Sequence, residues 1–139
     1  MCDHKRVEPL WGKMSEISES ETPFPHRARN LLKIQYFASW GDQGINVTNR
    51  YINKFSDFYA SMTSYVSSGL REAFLNYRDL DIGSISINQT IIKDSDQVYG
   101  FKYFKGNFHR LLNVKGMIDP DNFLKNEQSI PPANKYQLV

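Results

Sequence analysis

Apolar and polar residues along this chain follow two different periods, and the changes of period divide it into elements. Residues 1–12 are charged and irregular, and a first strand-like stretch is predicted over Lys13–Ser18. Glu21–Arg27 carries Pro23 and Pro25 and reads as an extended connection. From Asn30 to Trp40 apolar and aromatic residues crowd together (Leu31, Leu32, Ile34, Tyr36, Phe37, Trp40), bounded by Gly41 and Gly44, which predicts a buried strand. The spacing then lengthens to threes and fours (Ile52, Phe55, Phe58, Tyr59, Met62, Tyr65, Val66), predicting a helix from Asn46, its cap, to Val66, with Gly69 beyond it. Glu72–Asp81 returns to a strand pattern closed by Gly83, and residues 84–94 read as a loop. Two short helices follow. One starts at the N-cap Ser95 and runs to Gly106, and the other runs from Asn107 to the stop at Asp119-Pro120. The tail from Asn122 contains Pro131-Pro132 and is expected to run extended. This order predicts an α+β fold, antiparallel strands with helices packed on one face.

Alternation within the central strand separates two faces. Leu32, Ile34, Tyr36 and Ala38 share one, and Leu31, Lys33, Gln35 and Phe37 share the other. Packing against a helix explains the first face. It does not explain an ammonium and an amide among bulky neighbours on the second.

Composition narrows the function classes. At 139 residues the chain makes one domain, with a core burying about two thirds of the unfolded surface. Its net charge of +2 comes from Lys and Arg dispersed among acids, which argues against a nucleic-acid partner. Apolar runs are too short to span a bilayer, so no membrane is expected, and no apolar stretch near the N-terminus predicts a signal peptide. Cys2 is the sole cysteine, which excludes an internal disulfide and a cysteine-held zinc or iron–sulfur centre. His4, His26 and His109 are unpaired in spacing, so no metal site is predicted. Asp79 and Asp81 read as a strand end salt-bridged to Arg78. The two sequons, Asn46-Val47-Thr48 and Asn88-Gln89-Thr90, are what chance supplies.

The constellation with chemical content is Lys33, Gln35 and Tyr77. A phenol ionises near pH 10 in water and serves as a general base at neutral pH only where its anion is stabilised, which a neighbouring ammonium does. The ordinary alternative is that a mid-strand lysine snorkels to solvent.

Several runs resemble one family. Lys13–Ser20 (KMSEISES), Thr22–Arg27 (TPFPHR), Asn76–Asp81 (NYRDLD), Asp119–Phe123 (DPDNF) and Asn126–Pro131 (NEQSIP) are similar, in order, to the C-terminal part of the plant berberine bridge enzyme-like FAD-linked oxidases. The resemblance covers about Lys13 to Pro132, with the berberine-like module at about 73–131, an unmatched segment at 1–12 and a tail at 133–139. It implies part of a substrate domain whose partner is the FAD-binding domain of a longer chain. That domain carries the His and Cys that attach FAD, and Cys2 and His4 are not those residues.

Position by position, the resemblance makes Tyr77 the catalytic base, Lys33 and Gln35 active-site residues, and Asn76 the cofactor-side residue next to the base. Relatives with a carboxylate base carry Glu at the position of Gln35, so the amide implies oxidation of an alcohol, a monolignol or a carbohydrate. Hydride would pass to the flavin, with dioxygen as acceptor. The alternative is a non-catalytic remnant or binding module. Family members are typically secreted to the cell wall or vacuolar. The chain departs from the pattern where Arg29 replaces a Gly, where Trp11 interrupts a Tyr-Gly-Gly run, and over Ile85–Asp96.

Overall fold

The segment expected to be irregular at the start of the chain is its first strand. A computed structural model describes residues 2–41, 44–66, 71–86, 92–93 and 98–137. In it β1 (Cys2–Pro9) runs antiparallel to β2 (Leu32–Ser39), from Cys2 opposite Ser39 to Pro9 opposite Leu32. Ladder hydrogen bonds sustain β1 without the apolar alternation by which a strand is recognised, which is why its charged sequence hid it. The Leu10 amide extends the ladder by donating to the Leu31 carbonyl at 2.9 Å.

The strand expected over Lys13–Ser18 is instead one helical turn, α1 (Lys13–Glu16). Gly12, at φ 72°, swings the chain out of β1. The Ser15 amide and hydroxyl both donate to the Gly12 carbonyl, at 2.9 and 2.7 Å, and close the turn. The same fixing of the backbone by side chains continues through TPFPHR. Buried Arg27 donates to the Phe24 carbonyl at 3.1 Å and to the Thr22 hydroxyl at 2.6 Å.

The two faces of β2 divide as alternation predicts, but none of its residues is buried, against the expectation of a buried strand. Tyr36 packs edge-on against Phe58 and Tyr59 of α2 (Ile45–Ser61), with ring centroids 5.4 and 5.9 Å apart, and Trp40 meets Tyr51 at 5.4 Å. The helix starts at Ile45 after Gly44, so Asn46, the expected cap, lies inside its first turn. A tight turn over Met62–Tyr65 follows, and Gly69 lies outside the described residues.

Glu72–Asp81 is not a strand. Residues 71–74 belong to no helix or strand, the Tyr77 amide closes a turn onto the Phe74 carbonyl at 2.8 Å, and Leu80–Ile82 forms a short 3₁₀ turn. Local side-chain bonds win over a ladder here: Asp79 Oδ1 accepts the Asp81 amide at 2.9 Å. Asp79 is therefore a turn cap and not the partner of Arg78, whose guanidinium faces Glu127 at 3.6 Å.

The two short helices are present as α3 (Val98–Phe104) and α4 (Asn107–Ile118), broken where Lys105 takes φ 48°. Ser95, the expected cap, lies outside the described residues. Tyr99, Tyr103, Phe104, Phe108 and Leu112 of this pair form the core with Ile85. Buried Gln128 ties the NEQSIP run to the segment after Tyr77. Its amide donates to the carbonyls of Asp79 and Gly83 at 2.6 and 2.7 Å, and its oxygen accepts the Tyr103 hydroxyl at 2.9 Å. Asp119 ends α4 by accepting the amides of Phe123 and Leu124 at 2.7 and 2.9 Å. The hydrogen bond from Lys115 and those two amides together hold its carboxyl down at about 2. A short parallel pairing joins β3 (Ile92–Lys93) to β4 (Tyr136–Gln137), within stretches expected to be loop and tail.

Two substitutions test this packing. A Cβ on Gly100 would sit 2.5 Å from the ring of fully buried Phe108. Gly100→Ala should therefore destabilise the chain by about 1–2 kcal/mol, although in an open helix the same change stabilises by about 1 kcal/mol. Scanning calorimetry should show the unfolding temperature falling by about 3 °C or more. Arg29 has φ 72°, a left-handed conformation costing a side-chain-bearing residue about 1–2 kcal/mol. Arg29→Gly removes that cost, and after glycine's added unfolded-state entropy the unfolding temperature should rise by about 1–3 °C.

Candidate functional site

Lys33 and Tyr77 meet on the face of the sheet opposite α2. The strand period puts Lys33 there, and the turn at Phe74–Tyr77 brings two rings over it. Lys33 Nζ lies 3.9 Å from the centroid of the Phe74 ring and 5.0 Å from that of Tyr77. The two rings pack edge-to-face at 5.2 Å, a consequence of the turn, since strand alternation would have sent them to opposite faces. The ammonium over these rings gains a cation–π attraction.

The site also contains Glu8, from the segment that sequence pattern read as irregular. It stands opposite Lys33 in the β1–β2 register. Its Oε2 lies 2.6 Å from Lys33 Nζ, and its Oε1 accepts the Tyr77 hydroxyl at 3.3 Å and the Arg6 Nε at 2.7 Å. The Lys33 hydrogen bond holds the Glu8 carboxyl below the usual carboxylate range, against burial and with help from Arg6. Gln35, half-buried, is opposite Arg6 and shares the face of Lys33. Asn76 is exposed in the turn beside Tyr77. The signal for Glu8 was a cross-strand charge pair, legible only once the register is known.

A second polar cluster positions the turn. Glu72 takes the buried His26 Nδ1 at 2.8 Å, Lys105 Nζ at 2.7 Å and Asn30 Nδ2 at 3.2 Å. Lys105 also reaches Glu19 at 3.0 Å, and Asn107 donates to the carbonyls of Glu19 and Thr22 at 2.7 and 3.1 Å. Burial pushes the Glu72 carboxyl up, but the hydrogen bonds from Lys105 and His26 outweigh it and leave it below the ordinary range.

The comparisons with known proteins converge on one group. The family described as "Berberine and berberine like" matches residues 73–131. Berberine bridge enzyme-like 10 of Arabidopsis thaliana is 55% identical over 123 residues, 88% of this chain and 23% of that protein. The chain belongs to the berberine bridge enzyme-like family. It spans about a quarter of the length of such relatives. The solved structure of BBE-like number 28 from Arabidopsis thaliana superposes with a TM-score of 0.83 at 41% identity, covering 94% of this chain and 27% of that one. That of Phl p 4, a grass pollen allergen with glucose dehydrogenase activity, superposes with a TM-score of 0.78 at 43% identity, covering 92% and 26%. The family implies an FAD-dependent oxidoreductase, and this α+β unit resembles part of such an oxidase domain.

A whole FAD needs a cradle for its pyrophosphate. The open hollow of about 460 Å³ between Ser15–Glu19 and Ala28–Arg29 sets the two carboxylates of Glu16 and Glu19 against the single guanidinium of Arg29, a net negative lining that disfavours a pyrophosphate. That cavity does not fit the dinucleotide.

Because the Glu72 carboxyl is lowered in the folded chain, its contribution is complete above the ordinary value of 4.5 and is lost as pH falls through the depressed folded value. Glu72→Gln should cost about 1–2 kcal/mol at pH 7. The gap in unfolding temperature between variant and wild type should close as pH falls below about 4.5. Equal gaps at pH 7 and pH 3 would refute the assignment.

Proposed function

We propose that this chain is the substrate-facing, C-terminal part of an FAD-dependent alcohol oxidoreductase, with residues 13–132 completing its substrate domain. Tyr77 takes the proton from the substrate hydroxyl, Lys33 supplies the positive charge that favours negative charge on that oxygen, and Gln35 and Asn76 line the approach. FAD, held by the FAD-binding domain of a longer protein, would supply the hydride acceptor, with dioxygen as the final oxidant. The observation that carries this reading is the meeting of ammonium and phenol: Lys33 Nζ is 5.0 Å from the Tyr77 ring, on the face free of α2. Gln35 presents an amide on that face, and the carboxylate there, Glu8, is taken up by Lys33 and Arg6, which leaves the phenol to meet the substrate hydroxyl and suits an alcohol substrate. A carbohydrate or a monolignol fits. Support for a carbohydrate comes from Phl p 4, whose activity is that of a glucose dehydrogenase.

The test is a fusion in which this chain replaces the matching residues of berberine bridge enzyme-like 10. It should bind flavin and oxidise alcohols. Tyr77→Phe should keep the flavin absorbance while kcat falls about 100-fold or more. An unchanged kcat in that variant would end the proposal.

A further inference from the structure

One carboxylate stands between the two groups assigned to the reaction. Glu8 holds the Lys33 ammonium on Oε2 at 2.6 Å and accepts the Tyr77 hydroxyl on Oε1 at 3.3 Å. A phenol has one proton to donate, and once that proton is given to a carboxylate only lone pairs are left for a ligand. We propose that Glu8 is a positioning residue of this site: its Oε1 holds the Tyr77 proton, so the Tyr77 oxygen meets the substrate hydroxyl as a hydrogen-bond acceptor, and as it takes that hydroxyl's proton its own passes to Glu8 Oε1. The inference rests on the reading of Lys33 and Tyr77 given above.

The geometry is built into the sheet. Glu8 is paired opposite Lys33 and Arg6 opposite Gln35, so the ladder that joins β1 to β2 also delivers the carboxylate to the ammonium. Lys33 and Arg6 on the sheet and Tyr77 on the turn are the groups that face Glu8, and the two cations keep it ionised. A site polarised in this way favours a ligand that brings a donor, such as an alcohol hydroxyl.

The test reads the hydrogen bond directly. Tyrosine carrying ¹³C at Cζ is incorporated into the 139-residue chain, and Tyr77 is assigned by the resonance lost in Tyr77→Phe. Spectra come from solution or, for a sparingly soluble sample, from magic-angle spinning. Donation to a carboxylate deshields Cζ. Glu8→Gln should move the Tyr77 resonance upfield and leave those of the core residues Tyr99 and Tyr103 in place, and Glu8→Asp should recover part of the shift. In the fusion, Glu8→Gln should lower kcat about tenfold with a smaller change in KM. A Tyr77 resonance that stays put in Glu8→Gln, while Tyr77→Phe abolishes turnover in the fusion, overturns the role of Glu8 alone. A resonance that moves while the Tyr77→Phe fusion turns over normally overturns the reading of Tyr77 and this inference with it.

Discussion

The Glu72 carboxylate is the junction on which the site depends. It collects His26 from the TPFPHR run, Lys105 from the break between α3 and α4, and Asn30 from the approach to β2. Two parts of the chain far apart in sequence, His26 with Asn30 on one side and Lys105 on the other, are thus held by one small group, two residues before Phe74 and five before Tyr77. Release of that carboxylate would free the segment that sets Tyr77 over Lys33. The network is partly buried, so its ion pairs are screened less than exposed ones, and the accompanying hydrogen bonds give the junction direction as well as energy.

The helices and β2 were legible because burial wrote a period into them. Tyr36 facing α2 and Lys33 facing the other way follow from alternation alone, and the halt between Phe104 and Asn107 follows from the interruption at Lys105-Gly106. What the pattern missed is what side-chain hydrogen bonds decide. β1 lacks alternation and lives on its ladder with β2. The Glu72–Asp81 stretch reads as a strand with Leu75 and Tyr77 toward one face and Phe74 and Leu80 toward the other, yet the Asp79 cap and the reach of Gln128 bend it into turns. The Gln128 bonds reach carbonyls 49 and 45 residues away, at Asp79 and Gly83, and no local pattern contains them. Of the candidate site, Lys33 and Tyr77 were legible as residue types and from the family resemblance, while Glu8 needed the register.

The amphipathic stripe of α2 is also only half used. None of its residues is buried, although Tyr36 and Trp40 cover part of the stripe, and Ile52 remains 47% exposed. Past the end of α4, Phe123 is 86% exposed even though its backbone is pinned by Asp119. A backbone held that firmly while its side chain stands in solvent presents apolar surface rather than merely tolerating it. Such surface suits a unit that packs against further protein.

The pairing of β1 with β2 makes the site and the packing a single choice. Side chains alternate with a period of two, so a slip of one residue would turn Lys33 and Gln35 toward the aromatic rings of α2 and bring Ile34 and Tyr36 beneath Tyr77. Burying an ammonium among Phe58 and Tyr59 without a carboxylate is costly. In the register observed, Glu8 opposite Lys33 makes the polar face self-consistent, and Tyr36 against Phe58 does the same for the apolar one. The charge pair that looks functional is therefore also what tells the sheet which way up to lie.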